Sequence, residues 1–298
     1  MAKAAKKSDP ASMVMDVKPL KREGIHIRVI GRTPLIYHAV AMKAMGALLL
    51  PRGPMNAAAK AENIKHDPLG EYRDSVYKWN VAGAPTRLVV PAVFFKSAMM
   101  SAALRLPGIA KTEVAQLVWV TGQRPYIDNI AVWGKPELKM DVVRLSGATN
   151  APDIRTRAVL REWCAEFDIT YATPLLTATA VGNLLSTAGM ICGIGDYRQE
   201  KGKGSFGQFD MGPSDEEWAE VTRQGKAVQD EALQNPDYYD DQTSTLMEWF
   251  QEEIIRRGRE DAITKVSEET GFEPVDDDDD FTPPPRANGR GKTGRATA

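Results

Sequence analysis

Glu166-Phe-Asp-Ile-Thr-Tyr171 alternates apolar and polar side chains at the period of a strand, and Thr177 to Ile191 then sets Val181, Leu184, Leu185 and Ala188 at helical spacing. Next comes Gly193-Ile-Gly-Asp-Tyr-Arg-Gln-Glu-Lys-Gly-Lys-Gly-Ser-Phe-Gly207, five glycines and three cations, after which Phe206 to Met211 reads as strand again. Upstream, Gly24 to Gly31 alternates with Ile25, Ile27 and Val29 directed at a core, and Thr33 to His38 stays extended. Thr86 to Pro91 is a β-branched strand. It leads into a helix whose face carries Val93, Phe94, Ser97, Ala98, Ala102 and Leu104 and which Pro107-Gly108 ends. Extended runs follow at 117–120, 127–133 and 138–145, then a loop to Asp153. The order strand, helix, strands, strand, helix, strand predicts an α+β protein with a ferredoxin-like or RRM-type antiparallel sheet.

The flanks divide by composition. Residues 1–20 read as a flexible basic arm, 21–212 as the sheet domain, and 41–85 within it as an insertion with one short helix at 56–65. Residues 213–272 form a helical extension: Ser214-Asp-Glu-Glu217 is a capping box that opens a helix bearing Trp218, Val221 and Val228. A second helix at 244–258 follows, with Leu246, Met247, Phe250 and Ile254 as its apolar stripe. Residues 273–298, with Asp276 to Asp280, Phe281 and Pro283 to Pro285, are expected to be disordered, acidic and then basic.

The net charge of −2 hides an asymmetry. Residues 1–212 carry 28 basic and 18 acidic side chains, whereas 213–298 carry 10 and 22. A basic body suggests a polyanionic partner, and an acidic tail suggests a competitor for it or a docking segment for a protein partner at 276–281. No stretch of about 18 apolar residues exists and no apolar run follows the basic start, so a cytoplasmic protein without a membrane partner is expected. Cys164 and Cys192 are too few for a Cys-rich metal site, and His26, His38 and His66 are too scattered for a His pair, so no metal and no cofactor is expected. Gly202 to Gly207 matches the dinucleotide fingerprint only formally, because a helix precedes it and a strand follows. Gly291-Lys-Thr293 lacks the first glycine of a phosphate loop, with Arg286 in its place.

In the glycine loop, Gly193, Gly195, Gly202 and Gly204 are expected to free backbone amides for an anion nest while Arg198, Lys201 and Lys203 neutralise phosphates. A mobile basic surface loop is the alternative. Arg155 and Arg157, two residues apart on an extended segment, are a second pair of candidate phosphate contacts, with Arg161 beyond them. Tyr37, Tyr197 and Phe206 are candidate stacking residues for unpaired bases, or core residues.

Three segments, taken together and in order, resemble the RAMP superfamily, the Cas7-like and Cas5-like subunits of CRISPR effectors. Val89-Val-Pro-Ala-Val-Phe-Phe-Lys-Ser-Ala-Met-Met-Ser-Ala102 is similar to the segment that opens the first helix of that family, although Ala92 replaces its usual glycine and Met100 stands where arginine is common. The loop 193–207 resembles the family's glycine-rich loop, and Ile25 to His38 its first strand. The resemblance implies a modified RRM fold that holds single-stranded RNA as one protomer of a filament along a guide, with Lys96 and Ser97 near the RNA backbone. Some members cleave RNA with an acidic residue on a loop after the first strand, a region where Asp67 and Asp74 stand here. The expectation is a non-catalytic, guide-type single-stranded RNA-binding subunit that assembles with copies of itself. The alternatives are a single-stranded DNA-binding or annealing factor with a regulatory acidic tail, and a RAMP-type endoribonuclease.

Overall fold

The computed structural model describes residues 19–41, 66–144, 152–201 and 204–258, apart from isolated positions between 45 and 49. The expected helix at 56–65, most of the N-terminal arm and the whole acidic tail lie outside them.

Strand β1 (Lys21–Gly31) runs antiparallel to β9 (Cys164–Thr173) in continuous register, from Lys21 opposite Thr173 to Ile30 opposite Cys164. On its other side β1 takes β10 (Phe209–Met211), with Ile30 opposite Asp210. The far edge of β9 is shared. Strand β5 (Val118–Thr121) pairs with Asp168–Tyr171, and β6 (Asn129–Trp133) pairs with Cys164 and Ala165. Beyond β6 the sheet continues through β4 (Leu88–Pro91) to β3 (Tyr77–Lys78). Helices α2 (Val93–Ala102) and α4 (Ala178–Ile191) pack together, so last strand, first strand, third and second lie side by side as in the ferredoxin-like α+β fold.

Both helices supply the core where their apolar spacing puts it. Phe95, Ala98 and Met99 of α2 and Val181, Leu184, Leu185 and Ala188 of α4 are buried against Val29, Phe167, Ile169 and Phe209 of the sheet. The Phe95 ring centroid lies 4.3 Å from Phe167 and 5.3 Å from Phe209. At Gly189, a Cβ would stand 2.0 Å from the Phe209 carbonyl oxygen, so the absence of a side chain lets α4 approach β10. Before α2, the insertion holds α1 (Pro68–Asp74), capped by Asp67. Between α2 and β5 the chain forms α3 (Lys111–Leu117), where the sequence pattern predicts no element before the extended run that starts at 117. Glu113 closes its start by accepting from the Ala110 amide at 2.7 Å.

A second, three-stranded sheet orders β2 (Leu35–Ile36), β8 (Pro152–Leu160) and β7 (Pro136–Arg144). In β7 and β8, Leu138, Met140, Ala158 and Leu160 enter the core, while Lys139, Asp141, Arg155 and Arg157 share the opposite face, on which Arg157 is also buried.

The extension is three helices, α5 (Asp215–Thr222), α6 (Lys226–Gln234) and α7 (Asp241–Arg256). The expected single helix through Val228 breaks at Gly225, whose Cβ would come within 2.9 Å of the Pro85 carbonyl, the same carbonyl that accepts from the Lys226 amide. Trp218 and Val221 of α5 cover Ile30, Trp79, Val89, Ala131, Trp133 and Cys164 on the sheet face away from α2 and α4. That cover explains why Ile30 is buried although it breaks the alternation of β1. Gln229 of α6, fully buried, accepts from the Arg87 and Leu88 amides and donates to the Val132 and Gly134 carbonyls, so one side chain pins α6 across β4 and β6. Cys164 and Cys192 are buried and unpaired, and burial pushes the Cys164 thiol up to about 12. Among the described residues no helix is long and apolar enough to cross a membrane, and no group of three or more His, Cys, Asp or Glu is placed to hold a metal ion.

Candidate nucleic-acid interface

The glycine loop leaves α4 through two residues at positive φ, Gly193 (+69°) and Gly195 (+79°), a region open to glycine at little cost. At Gly195 a Cβ would also lie 2.6 Å from the Ile36 carbonyl oxygen. The loop then folds back on itself. Ile194 N donates to Gly207 O, Asp196 N to Ile36 O, Phe206 N to Tyr197 O and Gly207 N to Pro34 O. A Cβ on Gly204 would fall 1.6 Å from the Tyr197 carbonyl oxygen, so the glycines here serve close backbone passage. Those four amides are spent on carbonyls and are not donors for an anion. Gly202 and Lys203 lie outside the described residues.

The loop sits against the charged face of β7 and β8. Arg157, 2 % exposed, is held between Asp141 at 2.6 Å and Asp196 of the loop at 2.5 Å, and its guanidinium lies 4.9 Å from the centre of the Tyr197 ring. Its charge is already matched by two carboxylates, and through them it ties the loop to the sheet. Tyr197 takes φ +50°, unusual for a residue with a side chain, and presents a half-exposed ring 6.5 Å from Phe206. Arg198 pairs with Glu200 at 3.1 Å, and Glu200 also accepts from Ser101 of α2. Arg198 and Ser101 together hold that carboxyl below its ordinary range against the opposing pull of burial. Lys201, on the single 3-10 turn Gln199–Lys201, is exposed. Arg155 differs from these. Its hydrogen bond goes to His38 Nε2 at 3.3 Å, and among the described residues no carboxylate is paired with it.

Other predicted positions fall elsewhere. Tyr37 is 2 % exposed and packs on Tyr77 with centroids 6.4 Å apart, inside the core and out of reach of a base. Burial drives its phenol far up. Lys96 turns its ammonium to the Ala115 carbonyl at 2.9 Å, which ties α2 to α3, while Ser97 is exposed. Asp67 accepts from the Gly70 amide at 3.1 Å as the cap of α1, and Asp74 ends that helix. Arg161 is engaged by Glu137 and by the carbonyl and ring of Tyr239. On the sheet face where RRM modules stack bases, charged and aromatic side chains pair with one another while remaining partly exposed. His26 and Arg28 pair with Asp168 and Glu166, and Trp119 and Trp218 lie under Arg22 and Arg28, at 4.7 and 4.9 Å. In the glycine loop the Tyr197 ring is exposed, with Arg157 over one face and the half-buried Phe206 beside it. The sequence singled out both but gave no sign of their neighbour His38.

Fold and site define an α+β protein of ferredoxin-like architecture with a cation-rimmed aromatic ledge where the loop after the second core helix meets an accessory sheet. No protein-family model and no curated protein matches the chain. Among solved structures, two of those to which it is similar are the following. One is a chain of the Type III-B Cmr-beta bound to cognate target RNA, at 14 % identity over 65 % of this chain and 60 % of that one, with a TM-score of 0.31. The other is Cmr6 from Pyrococcus furiosus, at 9 % identity over 64 % of this chain and 99 % of that one, with a TM-score of 0.32. The chain thus spans about 60 % of the length of the Cmr-beta chain.

Proposed function

We propose that this chain is a non-catalytic single-stranded RNA-binding protein that assembles with further copies along its ligand. The observations that carry the reading are the exposed Tyr197 ring with Arg198 and the exposed Lys201 on the same loop, and Arg155 on the neighbouring sheet with no carboxylate paired to it among the described residues. Cations beside an aromatic ring are the means by which proteins hold single strands, the phosphates by charge and the unpaired base by stacking. The resemblance of Val89–Ala102 and of the glycine loop to RAMP segments supports RNA over DNA and supports assembly along a guide. Asp67 is engaged as a helix cap, which favours holding over cutting.

The test is fluorescence anisotropy with a labelled 15-nucleotide RNA, the matching DNA and the RNA duplex at low salt. The reading expects single-stranded RNA to bind most tightly, to remain intact with or without a divalent cation, and to lose about 1–3 kcal/mol on Tyr197→Ala. Equal or tighter binding of DNA would favour the replication or recombination reading, RNA cleavage the nuclease reading, and no binding of any strand would end the proposal.

A further inference from the structure

His38 follows the β2 segment, exposed at the edge of the ledge, and its Nε2 lies 3.3 Å from Arg155 Nη1. A guanidinium has only donors, so Nε2 is the lone-pair nitrogen and the imidazole is neutral, with its proton on Nδ1. The charged groups that face the ring are Asp196 from the loop and Arg155 and Arg157 from β8. Asp196 is committed to Arg157 at 2.5 Å. What His38 meets unopposed is therefore Arg155. Desolvation holds its basicity below the ordinary imidazole range; Asp196 pulls the other way, and the two guanidiniums add to the lowering.

We infer that His38 is a proton-linked phosphate ligand: a phosphate seated on Arg155 displaces the guanidinium from Nε2, the imidazole takes one proton from solvent, and Nε2–H then donates to a phosphate oxygen. The exchange replaces a hydrogen bond between a cation and a neutral ring with two cations on one anion. It also makes the site a sensor, because binding carries a proton with it. The inference rests on the RNA-binding reading. The sign follows from the geometry. The free site is neutral at His38 above its lowered titration point and the occupied site is protonated, so affinity rises as pH falls from 8 towards 6.

The experiment measures binding of the labelled 15-nucleotide RNA by the full-length protein at fixed salt from pH 8 to pH 6. A difference of one unit between the free and bound titration points corresponds to about tenfold in affinity. That factor is reached in full only below the lowered free titration point, so between pH 8 and pH 6 we expect a several-fold increase in the wild type, and a flat profile in His38→Gln, whose amide oxygen can still accept from Arg155. His26→Gln and His66→Gln should keep the increase. In parallel, the His38 Hε1 resonance should titrate at higher pH when the RNA is added. RNA bound with equal affinity across the range, an increase that survives in His38→Gln, or an unmoved resonance overturns this inference and leaves the RNA reading in place; absence of binding at every pH overturns that reading itself.

Discussion

Replacing Arg157 by Met separates a structural cation from the binding ones beside it. Removing one partner of a buried pair costs about 3–5 kcal/mol when the stranded charge stays buried. Here the stranded groups are partly wet: Asp141 is 22 % and Asp196 36 % exposed, and Asp141 keeps Lys139 at 3.1 Å. The expected loss is therefore about 2–3 kcal/mol, since solvent screens exposed carboxylates. At about 2–4 °C per kcal/mol for a domain of this size, the thermal midpoint should fall by about 5–10 °C. Near-ultraviolet circular dichroism would follow the transition, and it also reports the Tyr197 ring that loses its cation. At a temperature well below the transition, Arg157→Met should still bind single-stranded RNA with an unchanged salt slope. Arg155→Ala should do the reverse, keeping the midpoint within about 1 °C and lowering the salt slope by about 0.7. An unshifted midpoint with a reduced slope in Arg157→Met would refute the assignment and return that guanidinium to the ligand.

Gln229→Ala leaves two amides and two carbonyls of the sheet unsatisfied in a dry interior, so unfolding by urea should show a loss of about 3 kcal/mol or more. Gly204→Ala forces apart the two arms of the loop, where a Cβ has 1.6 Å to the Tyr197 carbonyl. It should cost about 2 kcal/mol in stability by the same assay and weaken RNA binding by displacing Tyr197. Asp240 caps α7: burial opposes its charge, but Thr243 and Lys139 hold its carboxyl at about 2. A depressed carboxylate stabilises the fold above the unfolded value of about 4 and loses that contribution as pH falls towards 2, so thermal midpoints from pH 5 to pH 2 should decline less steeply in Asp240→Asn than in the wild type.

The core was legible because local period and burial agree in it: Ile25, Ile27 and Val29, the Val181–Ala188 stripe and the Ser214 capping box all stand where their spacing puts them. The accessory sheet was visible as strands but not as a separate sheet, since pairing of β2 with β8 joins residues more than 100 positions apart. Helix α3 was missed because its seven residues bury only Val114 and carry no full apolar stripe. At the site, Tyr197, Phe206, Arg155, Arg198 and Lys201 were named from composition. The fate of Arg157 was not, because it depends on Asp141 and Asp196, which reach it from a neighbouring strand and a distant loop. Tyr37 carried a stacking residue's chemistry but lies against Tyr77, and nothing local in the sequence distinguishes it from Tyr197. Gln229 had no signal at all, since its four partners lie on two strands far away in sequence.

The central claim is that the ledge of Arg155, Arg198 and Lys201 around Tyr197 holds a phosphate backbone. Its most direct test is the salt dependence of single-stranded RNA affinity in the wild type and in the triple variant Arg155→Ala, Arg198→Ala, Lys201→Ala, with the fold checked by circular dichroism. At about 0.7 per contact on single strands, the triple variant should lower the slope of log affinity against log salt by about 2. A folded triple variant with the wild-type slope and affinity would contradict the account.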